Sequence, residues 1–191
     1  MSELKKESEN ELEKKYREKV LPALFKQFGY SNVMQVPRLV KIVINMGVAK
    51  FGKDRSALQD SENELKALSG QKPVLSRSKR SVAGFKMRQG QPVSVLVTLR
   101  KRKMWDFLYR FINICCPRIR DFRGFRKSGD KMGNYTIGIQ DQQIFVEVDL
   151  SAVRRQQGMH ITFVTSAKTD KECLELLSAI GMPFQQTRVG A

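Results

Sequence analysis

Pro92-Val93-Ser94-Val95-Leu96-Val97-Thr98-Leu99-Arg100 runs almost directly into the segment from Arg102 to Cys115, and the change of period between the two decides the fold class. In the first, opened by Pro92, the residues Val93, Val95, Val97 and Leu99 face one way and Ser94, Thr98 and Arg100 the other, with Leu96 the exception. That is the alternation of a half-buried strand. In the second, Met104, Trp105, Leu108, Phe111, Ile112 and Cys115 recur at helical spacing as one apolar stripe, which Pro117 is expected to end. The stripe reads as core, and Cys115 within it as a small core residue.

Outward from this pair, Leu39 to Met46 alternates again, with Val40, Ile42, Ile44 and Met46 apolar and Lys41 and Asn45 on the exposed side. Pro73 opens a short strand through Ser76, and further strands are expected at Tyr135 to Ile139, Ile144 to Val148 and His160 to Ser166. Helices are expected from Glu3 to Phe28, stopped by Gly29, and from Ser56 to Ser69, stopped by Gly70. Thr169-Asp170-Lys171-Glu172 is a capping box for a last helix ended by Gly181 and Pro183. Helices and strands mix without regular βαβ alternation, so the expected class is α+β, a largely antiparallel sheet with helices packed on one face.

The chain has 191 residues, 35 Lys+Arg against 19 Asp+Glu, and a formal net charge of +16. Residues 72 to 127 hold 16 basic groups and only two acids, Asp106 and Asp121, so the middle of the chain owns nearly all of the excess. A surface that only solubilises mixes signs along its length; this segregation implies a polyanion lying against the central segment. Nucleic acid is the first candidate and an anionic membrane the second. The membrane reading weakens because the cations are spread over loops and a strand and do not line one face of an amphipathic helix. No apolar run is long enough to span a bilayer and the N-terminus lacks a signal-peptide core, so a soluble, cytoplasmic protein is expected.

The chemistry of catalysis has few carriers here. The three cysteines include the vicinal pair Cys115 and Cys116, there is no CxxC, and His160 is the only histidine, so a zinc finger is close to excluded. His160 lies in an alternating stretch and reads as a strand-face residue. Gly47-Val48-Ala49-Lys50-Phe51-Gly52-Lys53-Asp54 approaches a phosphate-binding loop between a strand and a helix, which keeps a nucleotide-binding enzyme as the alternative. Its last position is Asp54, where a hydroxyl is needed to hold magnesium and a carboxylate would repel the nucleotide. Glu147 and Asp149, two apart on an expected strand face, could bind a metal or share a proton, but in a chain this basic they read as surface salt-bridge partners of an Arg. No catalytic residue, metal or cofactor is expected.

The basic loops carry the signal. Arg77 to Gln91 includes Arg77, Lys79, Arg80, Ser81, Lys86 and Arg88 with glycines between them, a mixture suited to phosphate contact with close backbone approach. Arg118 to Lys127 interleaves Arg118, Arg120, Arg123 and Arg126 with Phe122 and Phe125, which suits stacking on unpaired bases. RNA is favoured over DNA, because the one strong central helix commits its wide face to the core and no helix-turn-helix or basic zipper is present.

The motifs Val33-Met34-Gln35-Val36-Pro37-Arg38, Asn45-Met46-Gly47-Val48, Ser69-Gly70-Gln71-Lys72-Pro73, Ser81-Val82-Ala83-Gly84-Phe85-Lys86, Val97-Thr98-Leu99-Arg100, Pro117-Arg118-Ile119-Arg120-Asp121-Phe122-Arg123-Gly124 and Gly133-Asn134-Tyr135 resemble the bacterial large-subunit ribosomal protein five family. They run in family order from about Tyr16 to Phe184. The resemblance implies one ribosomal-protein domain over residues 16–184, with a charged N-terminal extension at 1–15 and a tail at 185–191 that lie outside the family pattern. It implies a non-enzymatic, ribosome-bound protein whose open sheet face binds 5S ribosomal RNA through Lys41, Asn45, Gln71, Lys72, Thr98 and Arg100. It also implies that the loop carrying Arg77, Lys79, Arg80, Ser81, Lys86 and Arg88 approaches P-site tRNA. The Arg118, Arg120, Arg123 and Arg126 loop is then expected on adjacent large-subunit ribosomal RNA or in an intersubunit bridge to small-subunit protein thirteen, beside other 5S-associated proteins.

Overall fold

The computed structural model describes residues 10–49, 54–148 and 155–185. Five strands, β1 Leu39–Gly47, β2 Val74–Arg77, β3 Pro92–Leu99, β4 Tyr135–Ile139 and β5 Met159–Thr165, form one antiparallel sheet in the order β2-β3-β1-β5-β4. With helices at its flanks in sequence, this is the expected α+β class. β2 and β3 pair Leu75 with Val95 on one face and Val74 with Leu96 and Ser76 with Ser94 on the other, so the second face mixes apolar and small polar side chains.

The helices follow local chemistry. The first, α1, runs without a break through Glu11–Lys15, Tyr16–Val20 and Leu21–Phe28, begins at Asn10, whose side chain accepts from Leu12 N–H, and ends at Gly29. The expected helical residues from Glu3 to Glu9 lie outside the described residues. Helix α2, Arg55–Ser69, is capped by Asp54, which accepts from the N–H groups of Ser56 and Ala57. Helix α3 comprises Lys101–Arg110, Phe111–Cys115 and Cys116–Arg118. Helix α4, Asp170–Ile180, begins with the expected reciprocal capping box of Thr169 and Glu172.

Pro117 does not end its helix as the sequence suggested; α3 passes through it to Arg118. The same device recurs in α1 at Pro22. The N–H of Leu21 donates to Tyr16 O and that of Cys116 to Phe111 O, each five residues back, so the turn just before each proline is π-wound. An interior proline lacks a donor and crowds the carbonyl four residues before it, and a widened turn relieves that crowding without breaking the helix.

Contacts divide the chain into two compact units, one of Met1–Ile42, Arg100–Thr136 and Thr162–Ala191, the other of Val43–Leu99 and Ile137–Ile161. In the first unit the α3 stripe is core as expected: Trp105 is 6% exposed and Leu108, Phe111 and Cys115 are buried. Phe111 meets Phe163 at 6.1 Å between centroids, Trp105 meets Tyr16 at 5.8 Å, and Asn10 donates to Asp106 at 2.8 Å. In the second unit Ile44, Met46, Leu65, Leu68, Val95, Val97 and Leu99 are buried.

Two further expectations fail. No strand forms at Ile144 to Val148; Gln142–Ile144 is a 3₁₀ turn, and the alternating Ile144, Val146 and Val148 are buried, 61% exposed and buried. The buried Gln142 side chain holds this segment instead, donating to Arg155 O at 2.7 Å and accepting from Gln157 N–H at 2.6 Å, while Gln157 donates to Gly47 O at 2.9 Å. With no strand there, Glu147 does not lie on a strand face, and Asp149 lies outside the described residues. The second failure is Val40, counted with the apolar face of β1 but 38% exposed.

Candidate nucleic-acid interface

The second unit carries most of the expected contact residues. Asn45 sits on β1, half-buried between the buried Ile44 and Met46, and its Oδ1 is enclosed with no hydrogen-bond partner. An enclosed oxygen without a donor costs free energy in the isolated protein, and a ligand donor recovers that cost once the half-exposed amide turns outward. Gln71 follows the C-cap Gly70 of α2, and its Nε2 donates to the Thr98 carbonyl at 2.8 Å, locking the segment before β2 onto the end of β3. The structure therefore brings Gln71 and Thr98 together, while no hydrogen bond is present from either to Asn45. Lys72 is exposed beside them in sequence. Lys41 and Arg100 belong to the first unit, half-buried on β1 and exposed at the N-cap of α3 respectively.

Between β2 and β3 the chain forms an ordered hairpin. Ser78 N–H donates to Gln91 O at 2.8 Å, Gly90 N–H to Ser78 O at 2.9 Å, and Val82 and Met87 exchange backbone bonds of 3.0 and 3.1 Å. Ser81, expected to contact RNA, accepts from Gln89 N–H at 3.0 Å, and Arg77 donates to Gly90 O at 3.4 Å, so both help to hold the hairpin's shape. Lys79, Arg80, Lys86 and Arg88 project from it, exposed, and the sequence has no carboxylate between Glu64 and Asp106. With no internal counter-ion nearby in sequence, these cations remain available to phosphates.

The second basic loop, in the first unit, is built differently. Phe125 N–H donates to Pro183 O and Gln185 N–H to Phe125 O, both at 2.9 Å, tying the loop to the chain after α4. Phe125 stacks on Phe111 at 5.9 Å and meets Phe122 edge-on at 4.9 Å. Phe122 and Phe125, expected to stack on bases, are both half-buried against the protein's own rings, while Arg118, Arg120, Arg123 and Arg126 stay exposed around them. Gly124 must be glycine, because at φ +93° a Cβ would stand 2.7 Å from Gln185 N and Phe184 C. One aromatic is fully presented to solvent among the described residues. It is Phe85, 78% exposed at the hairpin tip, within the Ser81 to Lys86 motif of the basic loop.

Other groups are unsuited to catalysis. Burial pushes the thiols of Cys115 and Cys173 up to about 11 and that of Cys116 to about 12, leaving no thiolate near neutrality. His160 is exposed on β5. The Asp54 carboxyl is held down to about 2, first by the Ser56 hydroxyl and then by Arg155, whose Nη2 lies 3.0 Å away. That carboxylate caps α2, which is incompatible with a magnesium-ligand hydroxyl at the same place; Lys50 to Lys53 lie outside the described residues. Among the described residues no cluster could hold a metal and no helix is long and apolar enough to cross a membrane.

Residues 32–88 match the family profile of ribosomal protein L5, and residues 92–184 match the profile of the same ribosomal family's C-terminus. The chain belongs to the ribosomal protein L5 family. It is 58% identical over 174 residues to the large ribosomal subunit protein uL5 of Protochlamydia amoebophila, covering 91% of this chain and 94% of that one. It is 51% identical over 177 residues to the uL5 of Chlamydia felis and 52% over 177 residues to that of Chlamydia trachomatis, each covering 93% of this chain and 98% of the relative. As an L5-family protein it is a structural constituent of the large ribosomal subunit, a ribonucleoprotein component of translation, and not an enzyme.

Proposed function

We propose that this chain holds 5S ribosomal RNA on the polar side of its sheet. Asn45, Gln71 and Thr98 supply hydrogen bonds of fixed geometry and Lys72 adds charge, all in the second unit; Lys41 and Arg100 in the first unit contact phosphates. The hairpin from Arg77 to Gln91 reaches P-site tRNA, with Lys79, Arg80, Lys86 and Arg88 as the contacting cations. The loop of Arg118, Arg120, Arg123 and Arg126 faces adjacent large-subunit RNA or forms an intersubunit bridge with small-subunit protein thirteen. Other 5S-associated proteins complete the neighbourhood, and the protein works ribosome-bound in the cytoplasm, as one domain over residues 16–184 flanked by the N-terminal extension and the tail.

One observation carries the 5S reading: the half-buried Asn45 amide, its Oδ1 unpartnered, lies on β1 next to β3 in the acid-free stretch 65–105, where turning the amide outward offers that oxygen to an RNA donor. Charged groups attract any RNA, whereas a neutral amide gains over water only where a donor meets it in the right place. The test is titration of 5S RNA and a non-cognate RNA with Asn45→Ala. Selective loss of 5S affinity supports the reading, and equal loss on both RNAs removes it.

A further inference from the structure

We propose that the Phe85 ring is a stacking contact, lying flat on an exposed base face of a structured RNA, and that it sets the strength of the hairpin's RNA contact. The proposal rests on the reading of this hairpin as a tRNA-contacting element and assigns its apolar tip. Three observations point to it. Phe85 is 78% exposed, and Val82 beside it is 40% exposed, although both belong to residue types that gain by burial. The exposure is built into the fold: Val82 and Met87 exchange two backbone bonds, Lys86 N–H closes the turn onto Ala83 O at 3.0 Å, and Gln89 is tied to Ser81. Lys86 itself takes a left-handed conformation, φ +50°, which a side chain other than glycine adopts at a cost, so the tip is held in one shape.

The surroundings select the occupant. Lys79, Arg80, Lys86 and Arg88 are exposed on the same hairpin, and no carboxylate occurs from residue 65 to residue 105. An apolar protein surface would not need those cations, and a bare phosphate backbone would not need the ring. A base face bordered by phosphates uses both. Phe122 and Phe125 present less ring to a partner than Phe85, because both are half-buried against the protein's own rings.

The experiment measures dissociation of tRNA from the P site of ribosomes assembled with the full chain, comparing wild type with Phe85→Leu, Phe85→Tyr and the double variant Lys79→Ala/Arg80→Ala. Leucine keeps most of the apolar bulk without the flat aromatic face, and tyrosine keeps the face. Removing one base–aromatic stack corresponds to about a 5- to 150-fold loss. The expected result is faster release with Phe85→Leu by that order, near wild-type release with Phe85→Tyr, and faster release with the double variant. If the double variant speeds release while Phe85→Leu does not, the stacking contact is overturned and the tRNA reading stands. If Leu and Tyr lose tRNA equally, the ring acts other than by stacking and the proposal falls. If no variant changes release, the reading of the hairpin fails and the proposal with it. Phe85 is at an exposed tip, so these outcomes are not confounded by loss of the core.

Discussion

Replacing Asn45 by alanine should move folding stability and RNA binding in opposite directions. Asn45 Oδ1 is enclosed and unpartnered, so the folded protein carries the desolvation of a polar group without a compensating bond. That penalty is about 1 to 3 kcal/mol, and Asn45→Ala removes it while giving up some packing of a half-buried side chain. The net change in unfolding free energy is expected between zero and a gain of about 1 kcal/mol. In the complex the Asn45 amide is expected to turn outward and its oxygen to accept from 5S RNA, so the variant should bind it more weakly by about 1 to 3 kcal/mol, roughly 5- to 150-fold. Urea unfolding reads the first quantity through the midpoint at unchanged slope, and isothermal titration with 5S RNA reads the second. The salt dependence of binding should not change, since no charge is removed. A destabilisation above about 1.5 kcal/mol would show that the oxygen is satisfied in the free protein and would refute the reasoning.

Gln71→Ala should behave differently from Asn45→Ala, losing about 0.5 to 1.5 kcal/mol of stability because the 2.8 Å bond to the Thr98 carbonyl goes with it; chemical denaturation of the two variants side by side checks this. Trp105→Ala should cost about 3 to 5 kcal/mol, and native Trp105 emission should be blue-shifted and hard to quench; red-shifted emission would contradict its 6% exposure. Gly124→Ala should destabilise by about 1 to 3 kcal/mol by forcing Phe184 and Gln185 away from Phe125, measurable by thermal unfolding. Asp54 has a folded pKa depressed from 3.8 to about 2, so its contribution is complete above pH 4 and is lost as pH falls through about 2; Asp54→Ala should flatten the acid limb of a stability–pH curve between those values.

The parts of the fold with regular periods are legible in the sequence. β1, β3, β4, β5 and the α3 stripe came from alternation or helical spacing, and α4 from its capping box. Ile144 to Val148 misled because three alternating apolar residues satisfy the strand pattern, while the feature that overrides it is non-local: Gln142 bonding to Arg155 and Gln157, 13 and 15 residues away. Pro117 misled because the rule that proline stops a helix ignores the π turn that accommodates it. In the candidate interface the cations were legible from charge segregation alone. The roles of the aromatics were not, since whether a phenylalanine between arginines faces a base or a neighbouring ring depends on chain segments far away, here Pro183 to Gln185 behind Phe125. The tie from Gln71 to the Thr98 carbonyl was equally hidden, because it joins residues 27 apart.

The central claim is that the polar side of the sheet recognises 5S RNA and does more than attract RNA by charge. Direct titration of the full chain with 5S RNA and with a size-matched RNA duplex, repeated across a salt series, tests it. The account predicts a clear preference for 5S RNA that persists as salt rises, over a shared slope of about 0.7 to 0.9 in log K per neutralised phosphate. Equal affinity for both RNAs at every salt concentration would contradict it.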